Sequence, residues 1–208
     1  MQAPPESDGP RPGSAENPSR IRLLEGLAAS ITEKGYAATT IADIVRHARV
    51  SKRTFYEHFE DKEACFLASY MAASEETLRA ITTASAAPGL PWKERLQAAT
   101  RAYLDALEAK PAVTRTYLLE IHAAGPRALR LRREVHQRFA EQLRGLVQTA
   151  RGEHPELRAL SPAMATALVG GINELVLVAV EKGRAGQLRE LAETAVELVR
   201  AVLVAPEK

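Results

Sequence analysis

Cysteine is almost missing from this chain. Cys65 stands alone among 208 residues, so neither an internal disulfide nor a cysteine-based zinc site can form. A lone reactive thiol needs an electropositive setting, and nothing around Cys65 supplies one. Beside Phe66 and Leu67 it reads as a buried structural residue. Strand signals are missing too: β-branched runs with period-two alternation do not occur, and Ala, Leu, Glu and Arg dominate. The histidines (His47, His58, His122, His136, His154) show no metal-ligand spacing, and no G-x-S-x-G, phosphate-cradling glycine loop or Cys–His pairing appears. No cofactor or metal is therefore expected. The longest uncharged run, Ala159–Asn173, is too short and mixed to span a bilayer, and Met1 is not followed by a basic and then apolar leader. The expectation is a reduced, cytoplasmic, all-α protein.

Proline is concentrated where order is not expected. Residues 1–18 hold Pro4, Pro5, Pro10, Pro12 and Pro18 with few apolar groups, and read as a disordered arm. Order should begin near Asn17-Pro18, an N-cap followed by proline in the first turn. Ile21, Leu24, Leu27, Ala28 and Ile31 then make a helical stripe that Gly35 closes.

Thr40 to Lys62, TIADIVRHARVSKRTFYEHFEDK, reads as two short helices joined by a tight turn. Thr40 and Asp43 have the spacing of a capping box, and Ser51 offers a second N-cap. Phe55 and Phe59, four apart, share one face of the second helix and turn Lys52, Arg53, Tyr56 and Glu57 outward. From Arg46 to His58 four Lys/Arg stand against Glu57 alone, while the whole chain carries only +2. Positive charge is thus concentrated on the short helices, as binding to a phosphate backbone requires.

This segment, with the helical run Ser19–Lys34 before it, resembles the DNA-binding domain of the TetR family of transcriptional regulators. The run V-S-K-R-T-F-Y-E-H-F-E-D-K-E, Val50 to Glu63, is close to that family's signature. The likeness covers about a quarter of the chain. It implies a three-helix DNA-binding domain over residues 19–64, and a helical effector-binding and dimerisation domain over residues 65–208. It also implies a homodimer on a palindromic double-stranded operator, and release of a repressor by a small, often apolar ligand. Carried over by position, it suggests that Lys52, Arg53 and Thr54 face bases or nearby phosphates. Tyr56, His58 and Lys62 would grip the backbone, and Thr40 would touch phosphate. The family usually has glycine in the turn where this chain has Arg49; Arg49 then either bears strain and contacts phosphate, or sits in a slightly different turn.

Downstream, helical stripes follow one another between Ala-Pro-Gly-Leu-Pro at 87–91, Pro111, Gly125-Pro126, Gly152, Pro155, Ser161-Pro162 and Gly183. A helix from Pro162 to Glu181 is apolar almost all round, and the last, from about Gln187, carries a single stripe. A helix apolar on every side needs cover on every side. Burial within one subunit would provide it. So would pairing both helices with their copies in a four-helix bundle, with Leu168, Ile172, Val176, Leu191, Leu198 and Val202 at the interface. The pattern favours the second. For an effector, Trp92, Tyr103 and Tyr117 lie on core-facing stripes, Glu120 and His122 sit at the edges of theirs, and Asn173 and Glu174 are polar in mid-helix. Apolar walls with few polar groups are what a small-molecule site requires, although aromatics on such stripes also serve as core filler. The run Arg127, Arg130, Arg132 and Arg133 could attract an anionic ligand, but its spread around successive helix positions favours a solvated surface. An all-helical enzyme, indifferent to duplex DNA, is the rival class, and no residue separates activator from repressor.

Overall fold

The computed structural model describes residues 17–87, 89–121 and 124–204. Over these the chain is all-α: α1 (Pro18–Ala38), α2 (Ile41–Ala48), α3 (Lys52–His58), α4 (Lys62–Ser85), α5 (Trp92–Glu108), α6 (Pro111–Leu119), α7 (Pro126–Glu153), α8 (Pro162–Glu181) and α9 (Ala192–Leu203). A 3₁₀ turn, Leu188–Leu191, precedes α9, where the sequence suggested one continuous helix from Gln187. Most of the arm and His122 lie outside the described residues. Pro18, the last residue of the expected arm, opens α1 behind the side-chain cap of Asn17, where order was expected to begin.

Local signals set the helix ends. Asn17, Thr40, Ser51, Asp61 and Ser161 each accept a backbone N–H of the following first turn. Gly35, at φ 77°, breaks α1 as a residue without Cβ can.

The face that α1 buries differs from the expected stripe. Leu23, Gly26, Leu27, Ser30 and Ile31 turn inward, while Ile21 is exposed and Leu24 and Ala28 are only half-buried. Gly26 decides this. A Cβ there would stand 2.6 Å from the Ile44 carbonyl oxygen and 2.9 Å from the Ala48 nitrogen, so only glycine lets α2 cross this closely. Ser30 fits the same face by donating its hydroxyl to the Gly26 carbonyl at 2.8 Å.

One core joins α1–α3 to the start of α4 around Leu23, Leu27, Ile44, Phe55 and Phe66, and it extends to Ile121 and Ala128 beyond α6. Cys65 lies inside it with no exposure, and burial pushes its thiol up to about 12, the mark of an inert structural thiol. Two further cores hold α5, α7, α8 and α9 together.

α8 has two faces. By length and composition alone it is apolar enough to cross a membrane, a measure that core helices of soluble proteins also meet. Within the protein, Ala165, Leu168, Val176 and Val180 are buried against α5, α7 and α9, so Leu168 and Val176 belong to the monomer core and not to an interface. Ile172 also turns inward, to a cavity wall. Met164, Ala167, Gly171, Leu175 and Val178 form the opposite face, exposed or half-buried. A Cβ on Gly171 would lie 3.3 Å from a Leu198 methyl, so this face meets the outer stripe of α9, with Leu191, Leu198 and Val202 half-buried along it.

Candidate nucleic-acid interface

The capping box at the head of α2 is complete. The Thr40 hydroxyl accepts the Asp43 N–H at 3.3 Å, and the Asp43 carboxylate accepts the Thr40 N–H at 2.9 Å. Lys34 adds an ion pair to Asp43 at 2.7 Å. The Lys34 ammonium, then the Thr40 donors, hold the Asp43 carboxyl well below the usual carboxylate range. α2 ends when the Val50 N–H reaches the Val45 carbonyl at 3.1 Å, a closure that places Arg49 in the left-handed region at φ 53°, ψ 46°. Arg49 is the single non-glycine residue with positive φ among the described residues. The turn is therefore the one glycine usually makes, and Arg49 bears a backbone cost of about 1–3 kcal/mol.

Ser51 then caps α3 by accepting the Thr54 N–H at 3.0 Å, and its hydroxyl also bonds that of Thr54 at 2.9 Å. Phe55 is fully buried and Phe59 nearly so. With both rings turned in, Lys52, Arg53, Tyr56 and Glu57 face outward. Tyr56 stands edge-on to Phe55 with centroids 5.5 Å apart, so an exposed phenol is held by a buried neighbour. Arg53 rests on Glu57 at 3.3 Å, a surface pair that docking can exchange for a base or phosphate at little cost. Arg46 and His47 are both engaged by Glu33. Lys52 and Arg49 project without an ionic partner among the described residues. Thr54 and His58 are half-buried at the flanks, and Thr40 is exposed.

Lys62 is placed differently from the rest. Its ammonium donates to the Tyr36 and Thr39 carbonyls at 3.0 and 2.9 Å and lies 4.3 Å from the Tyr36 ring centroid. Burial lowers its pKa while Glu120 works against the shift. It ties α4 to the loose end of α1, a role the residues around it in sequence do not disclose.

Of the residues suggested for an effector, Tyr103, Tyr117 and Asn173 share the wall of one cavity between α4, α5, α6, α7 and α8. Trp92 and Glu120 are not brought there. Trp92 packs into the core near His154, and Glu120 reaches back to accept the Tyr36 N–H at 3.0 Å. Tyr70, Arg132, His136 and Phe139 also line the cavity. The last three recur at four and three residues on α7, a single-face spacing legible in the sequence.

An all-helical body carrying a capped helix-turn-helix, with basic and aromatic side chains outward on its second helix, has the architecture of a helix-turn-helix protein. Residues 23–69 match the family described as bacterial regulatory proteins, tetR family. Over this N-terminal segment the chain is similar to the TetR family of regulators. It is 28% identical over 107 residues to the HTH-type transcriptional repressor DhaR of Mycobacterium sp. strain GP1, covering 51% of this chain and 54% of that protein. It is 34% identical over 84 residues to the HTH-type transcriptional regulator YerO of Bacillus subtilis, covering 39% of this chain and 28% of that one. The matches thus span about half, or less, of those relatives' length. Solved structures extend the likeness in fold: FadR of Bacillus subtilis in complex with stearoyl-CoA has a TM-score of 0.75 at 17% identity, covering 88% of this chain and 98% of that one. A TetR-family regulator from Mesorhizobium loti has a TM-score of 0.68 at 22% identity, covering 90% and 97%.

Proposed function

We propose that this protein is a sequence-specific DNA-binding transcriptional regulator of the cytoplasm: a homodimeric repressor that leaves a palindromic operator when a small, largely apolar molecule enters its helical domain. The observation that carries the reading is α3 itself, capped by Ser51, anchored by Phe55 and Phe59, and left with Lys52, Arg53 and Tyr56 outward. Residues 19–64 read DNA, with Thr40, Arg49, Thr54 and His58 flanking, and residues 65–208 hold effector and dimer contact. Lys62 supports the head from behind. The dimer forms through the outer faces of α8 and α9, Met164, Gly171, Leu175 and Val178 meeting Leu198 and Val202 of a second copy, because these apolar side chains lack full cover within one chain. Two reading helices on one rigid body then dock on two half-sites, and an effector that favours a different spacing releases DNA by linkage. The repressor relative supports the sign of regulation, and the neighbour solved with stearoyl-CoA supports an apolar effector.

Selection from a random duplex pool tests the reading. A palindrome should emerge, and Lys52→Ala or Arg53→Ala should cost about 1–3 kcal/mol on it while scrambled duplex is bound as before. Leu198→Glu should give monomers in sedimentation that have lost the operator. A pool that yields no preferred sequence would remove the function proposed.

A further inference from the structure

Two cavities lie side by side in the helical domain, one of about 140 Å³ and one of about 80 Å³, and Tyr103, Phe139 and Val169 wall both. The Tyr103 and Phe139 rings meet edge to face with centroids 5.6 Å apart. Three side chains thus stand between the two cavities.

The cavities differ in chemistry. The smaller is almost wholly hydrocarbon, with Ile81, Leu96, Leu143, Leu146 and Ile172 on its wall. Its Thr100 hydroxyl is already spent on the Leu96 carbonyl at 2.9 Å. The larger has a polar end. Arg132, half-buried on α7, lines it without an acidic or hydrogen-bonding partner among the described residues, whereas Arg127, Arg130 and Arg133 of the same basic run are exposed. Glu76, the acid on that wall, is paired with Lys110 at 3.4 Å. His136 follows Arg132 by one turn; burial, then the Arg132 charge, pushes its pKa down to about 4, leaving a neutral ring near neutral pH. Asn173 is more than nine-tenths buried, and its amide has no hydrogen-bond partner among the described residues.

A guanidinium and an amide that line one cavity, neither engaged by another side chain among the described residues, leave donors free for an anion. We infer that the chamber binds an amphipathic monocarboxylic acid, its carboxylate held by Arg132 with Asn173 donating, and its hydrocarbon body passing between Tyr103 and Phe139 into the second cavity. A guanidinium suits this head because it binds a carboxylate with two parallel hydrogen bonds. The body needs the second cavity, since a cavity of about 150 Å³ holds little more than one benzene ring. The assignment rests on the helical domain being the effector domain, and names the class of effector.

Calorimetric titration of the full chain with octanoate, decanoate and dodecanoate, their alcohols, their methyl esters and their CoA thioesters tests it. The acids should bind, tightening about fourfold for each added CH₂ until the second cavity is full. Alcohols and esters should bind about tenfold or more weakly than the acids. Arg132→Gln should bring the acids down to the level of the alcohols and leave the alcohols unchanged, and Arg132→Lys should restore part of the loss. Ala99→Trp, or the milder Ala99→Leu, should end the gain at a shorter chain, because Ala99 lines only the second cavity. Acids that bind no better than alcohols, acids that bind Arg132→Gln unchanged, or thioesters that bind more tightly than the acids would each overturn the assignment. Gel shifts on the selected operator separate the two readings. Acids that bind through Arg132 without releasing DNA would sink the effector role and leave the site. Release by compounds indifferent to Arg132 would sink the site and leave the role.

Discussion

The proposed reading head and the proposed effector chamber are built to opposite specifications. In the head, the helix caps are made, the glycine crossing is tight, and the central rings are fully enclosed. Around the chamber, Arg132 and Asn173 have no side-chain partner among the described residues, and a buried Gln142 carbonyl oxygen is unsatisfied although its amide nitrogen serves Leu78 and Thr82. A surface that must match a fixed duplex gains from rigidity. A chamber that must respond to a small molecule gains from groups whose bonding is left to the ligand.

The largest test of this contrast is Phe55→Ala. It should cost about 3–5 kcal/mol and remove DNA binding, because a fully buried ring leaves a cavity in a packed core. Phe139→Ala, beside space that already exists, should cost less than half as much in denaturant titrations. Equal losses would mean that the chamber is packed as tightly as the head.

Next in size is the pH response of His136. Its pKa in the folded protein is lowered from 6.5 to about 4, so the unfolded chain takes up the proton first as pH falls. The neutral ring's contribution is complete above pH 6.5 and is lost as pH drops from there towards 4. The loss amounts to about 3 kcal/mol at most. His136→Gln should flatten the melting temperature in that window relative to the wild type, and an unchanged slope would place His136 in water.

Lys62→Met should cost about 1–3 kcal/mol by orphaning the carbonyls at the end of α1. The salt dependence of operator binding should stay as it was. A salt slope reduced by about one charge would return Lys62 to the phosphate contacts. Smallest is Arg49→Gly, which should relieve left-handed strain and stabilise the fold by about 1 kcal/mol or less. If Arg49 also meets phosphate, the same variant should weaken binding on every duplex.

Much of the head could be read from residues alone. Thr40 with Asp43, Ser51, and Phe55 with Phe59 act across three or four positions, and each appears in the structure with the partner its spacing implies. The buried face of α1 was less legible, because Gly26 and Ser30 face inward without being apolar. For α8 the composition announced burial on all sides, but not which side faces its own chain. Leu168 and Val176 proved to be core, while Met164 and Leu175 lie on the outer face.

By itself, then, the sequence determined where most helices begin and end, because caps, glycines and prolines act on the backbone within one turn of themselves. It also determined which side of α3 would face outward, since two phenylalanines four residues apart must share a face. Tertiary structure alone decided that Glu120 would hold Tyr36 across 84 positions, that Lys62 would close α1, and that one arginine of a basic run would turn to a cavity. These depend on how helices cross, and a crossing is set by the summed packing of many small contacts that no single residue's neighbours in sequence record.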